Sequence, residues 1–412
     1  MRIMMLSQSY PPITDGISHH VRSLSIELAS ANHDVCVVTL WNEGLPEFEM
    51  DDGVEVYRIK GTLNRARNVL YSHPAKLYAP PFPDPELTLK LWSIVKRKRP
   101  QIVHAHNWLL HSFIPLKKNS GAKLVVTLHD YSLACAKWSL IYNDEICGGP
   151  KVGKCIRCTA DHYGHFKGGV TVMSSWVMGY FAKSVVDCFI PVSNAVARGN
   201  RLIEDKLEFR MIPNFTRETV DSAPGLDGQY ASLLPGSGYI LFVGAFTKNK
   251  GVGVLLSAYQ AIQKAPPLVL IGYEIDKGPF LPIDIPRNVI VFRDWPHQAV
   301  MEAWKHSSMG LVPSTWLEPC PTAAFEAMMM GKPVIASRIG GLTDIVEDGV
   351  DGYLVPPGDP IALRQSIEML LRDDGLRKRM GEAAKSKSEG FMAGHVVPQI
   401  EDVYEEIAGD RP

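Results

Sequence analysis

The stretch EPCPTAAFEAMMMGKPVIAS (residues 318–337) decides how this chain reads. Its two acids, Glu318 and Glu326, have seven residues between them. Glu318 lies in a Pro-flanked loop after the apolar run Gly310-Leu311-Val312-Pro313. Thr322 reads as an N-cap, and Ala323 to Met330 are good helix formers. Gly331 is placed to end that helix, and Pro333 cannot continue it. Val334-Ile335-Ala336 then reads as a buried strand. One acid therefore stands just before a helix N-terminus and the other a turn inside it. Free N–H groups and the dipole at that N-terminus suit an anion. The acids beside it accept hydrogen bonds from hydroxyls. A lone pair of glutamates is usually a solvated pair. Here Ala, Phe and Met surround Glu326, so its charge needs a reason to be buried. An anion beside a polyhydroxyl group is the chemistry of a nucleotide sugar.

The same alternation extends outward in both directions. Strands are expected at Ile3–Ser7, Val35–Leu40, Val54–Ile59, Ile102–His106, Leu124–His129, Phe189–Ser193 and Phe209–Pro213, with helices such as His19–Ala31 and Glu86–Lys98 between them. Tyr71 to Pro85 is irregular and rich in Pro and aromatics. Residues 216–237 are rich in Gly, Ser, Pro and Asp and read as a linker. The pattern then restarts with strands at Tyr239–Val243, Leu268–Ile271, Val289–Phe292, Met309–Val312, Val334–Ala336 and Gly352–Val355. Short apolar strands joined by helices imply buried parallel sheets with right-handed crossovers. The expected organisation is an N-terminal domain (1–215), the linker, a C-terminal domain (238–390) and a last helical segment (391–412) that packs back on the first domain. Ligands in such sheets bind at the carboxyl ends of the strands, in a cleft.

With 412 residues and a net charge of -1, the composition is that of an ordinary globular enzyme and gives no electrostatic argument for nucleic acid. The basic run Lys96-Arg97-Lys98-Arg99 reads as a helix end, with attraction to an anionic membrane surface as the other reading. Val170 to Val196 is broken by Lys183 and Asp187, too interrupted for a spanning helix. No secretory leader is visible, so a cytoplasmic protein with reduced thiols is expected.

Taken in order, YPPITDGISHHVRSL (10–24), IVHAHNW (102–108), VVTLHDY (125–131), PVSNAV (191–196), MIPNF (211–215), FVGAFTKNKGVGVLLSAY (242–259), the glutamate pair and SRIGGLTDIVEDGVDGYLVPPGD (337–359) resemble the family 4 glycosyltransferases over nearly the whole chain. That resemblance implies an α/β GT-B fold, with two doubly wound Rossmann-like domains facing across a cleft. It implies a retaining transfer from a nucleoside-diphosphate sugar, UDP- or GDP-linked, to a sugar, lipid-linked or small-molecule acceptor. On this reading Glu326 binds the ribose hydroxyls and Glu318 contacts the transferred sugar. Backbone groups at Cys320, Pro321, Thr322 and Ala323 lie beside the diphosphate and sugar, together with Gly244 and Gly16. Lys250 supplies the phosphate charge. His129 ends a strand near the transferred sugar, a position at which a lone histidine would more often be structural. His106 is an acceptor-side residue, and His104, on the same strand face, supports the core.

Two positions depart from the family pattern. The usual G-R-x-x-x-x-K-G reads Gly244-Ala245-Phe246-Thr247-Lys248-Asn249-Lys250-Gly251, so an arginine is replaced by Ala245. A fixed cation there is worth several kcal/mol as the leaving diphosphate gains charge, about 2.7–4 kcal/mol for a comparable donor. Lys248 or Arg338 are the substitutes at hand. The position before Gly16 is usually glycine and here is Asp15, so Asp15-Gly16 also reads as a simple turn. No Asp-x-Asp motif occurs, so no catalytic metal is expected. The diphosphate leaves through an oxocarbenium-like transition state, and the leaving phosphate takes the acceptor proton. Domain closure is expected to exclude water.

Four of the seven cysteines, Cys135, Cys147, Cys155 and Cys158, fall in one insertion (135–158) ending in C-x-x-C. Structural zinc, free thiols and disulfides all remain open for them. Cys36 and Cys188 sit in apolar strands and read as core. Peripheral contact with the inner face of a membrane is a further expectation. The rivals are a GT-B epimerase or hydrolase of nucleotide sugars and a non-catalytic nucleotide-sugar-binding protein. A dinucleotide oxidoreductase is disfavoured because SQSYPPITDG (7–16) is no G-x-G-x-x-G loop.

Overall fold

The computed structural model describes residues 1–13, 15–62, 78–217, 226–274, 281 and 285–409. The expected irregular segment 71–85 and linker 216–237 therefore lie partly outside the described residues. The chain divides into two compact units, Met1–Asn214 with Val396–Pro412, and Phe215–His395.

In the first unit a sheet is built from β1 (Arg2–Leu6), β2 (Asp34–Leu40), β3 (Phe48–Asp51), β4 (Val54–Ile59), β5 (Ile102–Ala105), β6 (Lys123–Leu128) and, after a small hairpin of β7 (Ile141–Tyr142) and β8 (Glu145–Ile146), β9 (Cys188–Pro191). The sheet order is β3-β4-β2-β1-β5-β6-β9. Every pairing in it is parallel except β3 with β4. Both faces are covered, so these strands are near-continuous apolar runs. The helices that matter here are α1 (Gly16–Ser30), α2 (Pro85–Lys98), α3 (Val152–Tyr163) and α4 (His165–Val185). The chain winds outward from β1 to β2 and β4, then returns to β5 on the other side. The loops leaving β1 and β5 thus flank a topological switch point.

The edge strand β3 was not foreseen, because Phe48-Glu49-Met50-Asp51 carries acids at alternate positions. It needs only one partner, β4; Phe48 and Met50 are exposed, and the half-buried acids pair with Arg58 and Arg22. The strand expected at Phe209–Pro213 is reduced to a single bridge between Phe189 and Phe209. Arg210 N–H donates to Phe189 O at 2.9 Å and Ile212 N–H to Pro191 O at 3.2 Å, but Pro191 has no N–H to return to the segment as Phe189 does to Glu208 O. The basic run closes α2, with Arg99 in the left-handed region at φ 46° and Lys98 paired to Glu55 at 2.7 Å.

In the second unit β10 (Ile240–Val243), β11 (Leu268–Gly272), β12 (Val289–Arg293), β13 (Met309–Val312), β14 (Val334–Ser337) and β15 (Gly352–Val355) form a sheet of order β12-β11-β10-β13-β14-β15. All five pairings are parallel. Winding runs one way from β10 to β12 and the other way from β13 to β15, so the loops after β10 and β13 meet at the switch point. Helices α5 (Val252–Gln260), α6 (His297–His306) and α7 (Thr322–Met329) pack on this sheet, and α8 (Ala393–Ala408) leads back into the first unit. Its core gathers Ile240, Phe242, Leu255, Leu311, Ile335 and Leu363. No helix among the described residues is long and apolar enough to cross a membrane.

Candidate functional site

Glu318 stands in the loop after β13 and is 2 % exposed. Its Oε1 accepts from Ser314 Oγ at 2.8 Å and Trp316 Nε1 at 2.7 Å, and lies 2.7 Å from Lys250 Nζ. Oε2 meets no donor among the described residues. Lys250 comes from the loop after β10, so the switch point brings the two loops together. Two glycines make the approach feasible. A Cβ on Gly251 (φ +73°) would lie 1.8 Å from Pro313 O, and one on Gly340 (φ +60°) would lie 2.4 Å from Glu318 O. Thr315 N–H donates to Asn249 O at 2.8 Å and clamps the loops further. A buried carboxylate is tolerated here because an ammonium and two neutral donors satisfy it.

Helix α7 starts one residue earlier than expected: Pro321, not Thr322, is the N-cap, and no side chain caps it. Pro321 has no N–H, so among the four backbone positions 320–323 it is not a donor. The amides of Thr322 and Ala323 have no partner among the described residues, the usual state of an uncapped first turn. Gly331 ends the helix in the left-handed region at φ 66°, as its position predicts.

Glu326 is buried within α7, and its Oε1 is 3.1 Å from His297 Nε2 at the start of α6. The carboxylate raises the pKa of His297 through that hydrogen bond, against its burial. His297 was missed in the sequence, where Trp295-Pro296-His297 follows β12 with no motif to mark it. Glu326 Oε2 meets no donor among the described residues. Ala245 is 5 % exposed and Phe246 beside it 1 % exposed, so the position of the absent arginine is apolar and packed. Arg338 is committed to Asp348 and to Leu354 O.

In the first unit four buried histidines collect at the carboxyl ends of β5 and β6 and along α1. His129 Nδ1 donates to Asn214 Oδ1 at 3.1 Å, which leaves the lone pair on Nε2. That lone pair accepts from His106 Nδ1 at 3.0 Å. His106 Nε2 then carries a lone pair with no donor near it. His104 bonds to Thr127 Oγ1 at 2.7 Å and Tyr404 of α8 at 2.6 Å. His20, which the sequence reading passed over, stands edge-on to His129 with ring centroids 4.8 Å apart. The ligating nitrogens of His20, His106 and His129 all lie within 4.8 Å of one another. Burial pushes the His104 pKa down to about 3 and that of His129 down to about 4. His20 and His106 are lowered too, first by burial and then by their neighbours. All four rings are therefore neutral at physiological pH and act as hydrogen-bonding groups.

Asp15 is not a turn residue but the N-cap of α1. Its Oδ1 accepts from Ser18 N–H at 2.7 Å, and Ser18 Oγ closes a capping box. A Cβ on Gly16 would meet nothing within 4 Å, so no protein atom demands glycine there. None of the seven cysteines is in a disulfide, and Cys36 and Cys188 are buried in β2 and β9.

Two family descriptions match this chain. "Glycosyltransferase Family 4" covers residues 14–215 and "Glycosyl transferases group 1" covers 232–387. An uncharacterized glycosyltransferase of Methanocaldococcus jannaschii is 24% identical over 98% of both chains. Among solved structures, the sucrose-phosphate synthase of Thermosynechococcus elongatus superposes with TM-score 0.76 at 20% identity, covering 100% of each chain. HepE of Anabaena, solved in complex with UDP-glucose, gives TM-score 0.68 at 16% identity, covering 98% of this chain and 100% of the other.

Proposed function

The chain belongs to the family 4 glycosyltransferases of GT-B fold, and from that premise we propose that it moves a hexose from a UDP- or GDP-linked donor to an acceptor hydroxyl with retention and without a catalytic metal. The half-engaged carboxylate of Glu318 carries this reading. Oε1 is saturated by Ser314, Trp316 and Lys250, and Oε2 is left for a sugar hydroxyl. Lys250 is 2.7 Å away and still has ammonium protons for the departing diphosphate. The open amides of Thr322 and Ala323 add to that anion site, with the dipole of α7 behind them. Glu326 Oε2 is free to accept from the ribose hydroxyls. In the transfer the bond from the anomeric carbon to the diphosphate oxygen breaks and the acceptor oxygen bonds to that carbon. The acceptor proton passes to the leaving phosphate. Neutral His129, its tautomer fixed by Asn214, would reach the sugar by exchanging the bond its Nε2 accepts from His106.

A lipid-linked acceptor and peripheral membrane contact are supported by α4. Its residues Phe166 (88 % exposed), Val170, Met173, Val177 and Tyr180 (73 % exposed) recur at helical spacing on one face. The helix carries Lys167 and Lys183 and no acid, a combination that suits an anionic lipid surface.

The test is transfer from labelled sugar nucleotides, UDP-linked first because of the HepE complex, with NMR of the product's anomeric proton. An α-linked donor should give an α-linked product; an inverted product overturns retention. Sugar released only to water supports the hydrolase reading. Binding without turnover supports the binding-protein reading, which buried Ala245 favours.

A further inference from the structure

The insertion between β6 and α4 is stitched by turns rather than by a core. From Ser132 to Tyr163 the only buried apolar residues are Ala136 and Leu140, and Ile146, Val152 and Ile156 are exposed. A segment of this kind normally needs a covalent or metal staple. Cys135, Cys147, Cys155, Cys158 and Lys154 line one cavity within it. The four thiols arrive from separate places: a turn after β6, the strand end after β8, and two successive turns of one face of α3.

We propose that these four cysteines bind one zinc ion that holds the insertion together. Two of the sulfurs already meet nitrogen donors. Lys151 N–H donates to Cys155 Sγ at 3.3 Å, and Lys154 Nζ lies 2.9 Å from Cys147 Sγ. The Lys154 ammonium therefore already stands in the cavity that the four thiols line. The sulfurs ring the cavity more widely than the three histidine nitrogens of the same unit approach one another. Binding thus requires Lys154 to swing outward and the sulfurs to draw together. Tetrahedral thiolate coordination is the arrangement zinc takes in structural sites, and four ligands leave no open position for catalysis.

The consequence reaches α4. Gly168 of α4 packs on the backbone of α3, where a Cβ would lie 2.5 Å from Thr159 O. Fixing α3 by its two cysteines fixes the helix that displays the apolar stripe. The insertion is also tied to the strand-end segment by Cys135 N–H donating to Tyr131 O at 2.8 Å.

The experiment is elemental analysis of the full chain and of the Cys155→Ser/Cys158→Ser variant, both expressed with added zinc. Wild type should carry about one zinc per chain and the variant none. Limited proteolysis should cut the variant between 135 and 158 first, with the rest of the chain still folded. Wild type without stoichiometric zinc overturns the proposal. So does iron accompanied by inorganic sulfide. So does zinc that survives in the double variant but is lost in His106→Ala, which would place it on the histidines. Should the double variant not fold, wild type grown with cobalt decides: strong thiolate-to-cobalt charge-transfer absorption is expected, and its absence counts against the site. Donor binding is a separate matter and survives either result.

Discussion

The two units solve the same topological problem with opposite electrostatics. In the second unit the elements around the switch point carry two buried carboxylates, each with a basic partner nearer the surface: Glu318 with Lys250, Glu326 with His297. In the first unit the strand ends carry four imidazoles that burial keeps neutral. A charged site is organised to meet a ligand whose charge changes. A neutral one supplies shape and directional hydrogen bonds at no electrostatic cost. The comparison assigns anion chemistry to the second unit and positioning of hydroxyls to the first.

Lys250→Ala tests the charged half hardest. It removes the ammonium beside Glu318, and turnover should fall about 100- to 1,000-fold, as for loss of a preorganised charge-stabilising donor. Unchanged kcat would mean that another cation meets the diphosphate. Glu326→Ala should weaken nucleotide binding by about 1.5–3 kcal/mol, since it removes charged hydrogen-bond acceptors. The result expected is a raised KM with kcat little changed, readable from steady-state kinetics.

The neutral half makes a pH prediction. Folded pKa values of His104 near 3 and His129 near 4 lie below the unfolded value of 6.5. Below pH 6.5 the unfolded chain therefore binds more protons than the folded one. Stability should be flat above that pH and fall as pH drops towards 4. Each imidazole contributes up to about 1.4 kcal/mol per pH unit. Denaturant titrations at pH 7 and pH 5 measure it, and His104→Gln should reduce the slope. Equal stability at the two pH values would mean that the rings are solvated. The smallest effect is at the α1 cap: Asp15→Ala should cost about 1 kcal/mol through loss of the capping box, readable in the same titration.

Much of this was legible in the sequence, for a physical reason. Apolar strands buried on both faces write themselves as uninterrupted runs, so nearly every strand was located. The exceptions are informative. β3 alternates acids because it is an edge, and Phe209–Pro213 lost its ladder where proline removed a donor. The glutamate pair was legible because its helix start, its glycine stop and its acids are contiguous in the chain. His297 and His20 were not, because each reaches its partner only through the fold. The cap at Asp15 was not legible, and a turn stood as the alternative there, because the capping box depends on Ser18, three residues on.

The central claim is that Glu318, Glu326 and Lys250 form a nucleotide-sugar site in the second unit. Thermal unfolding of wild type and Glu326→Ala, each with UDP, GDP, ADP and TDP and their sugar conjugates, tests it most directly. One nucleotide should raise the Tm of wild type and leave the variant nearly unmoved, since ligand at 100 times its Kd adds about 2.7 kcal/mol. Equal stabilisation of both proteins, or none by any nucleotide, would contradict the account.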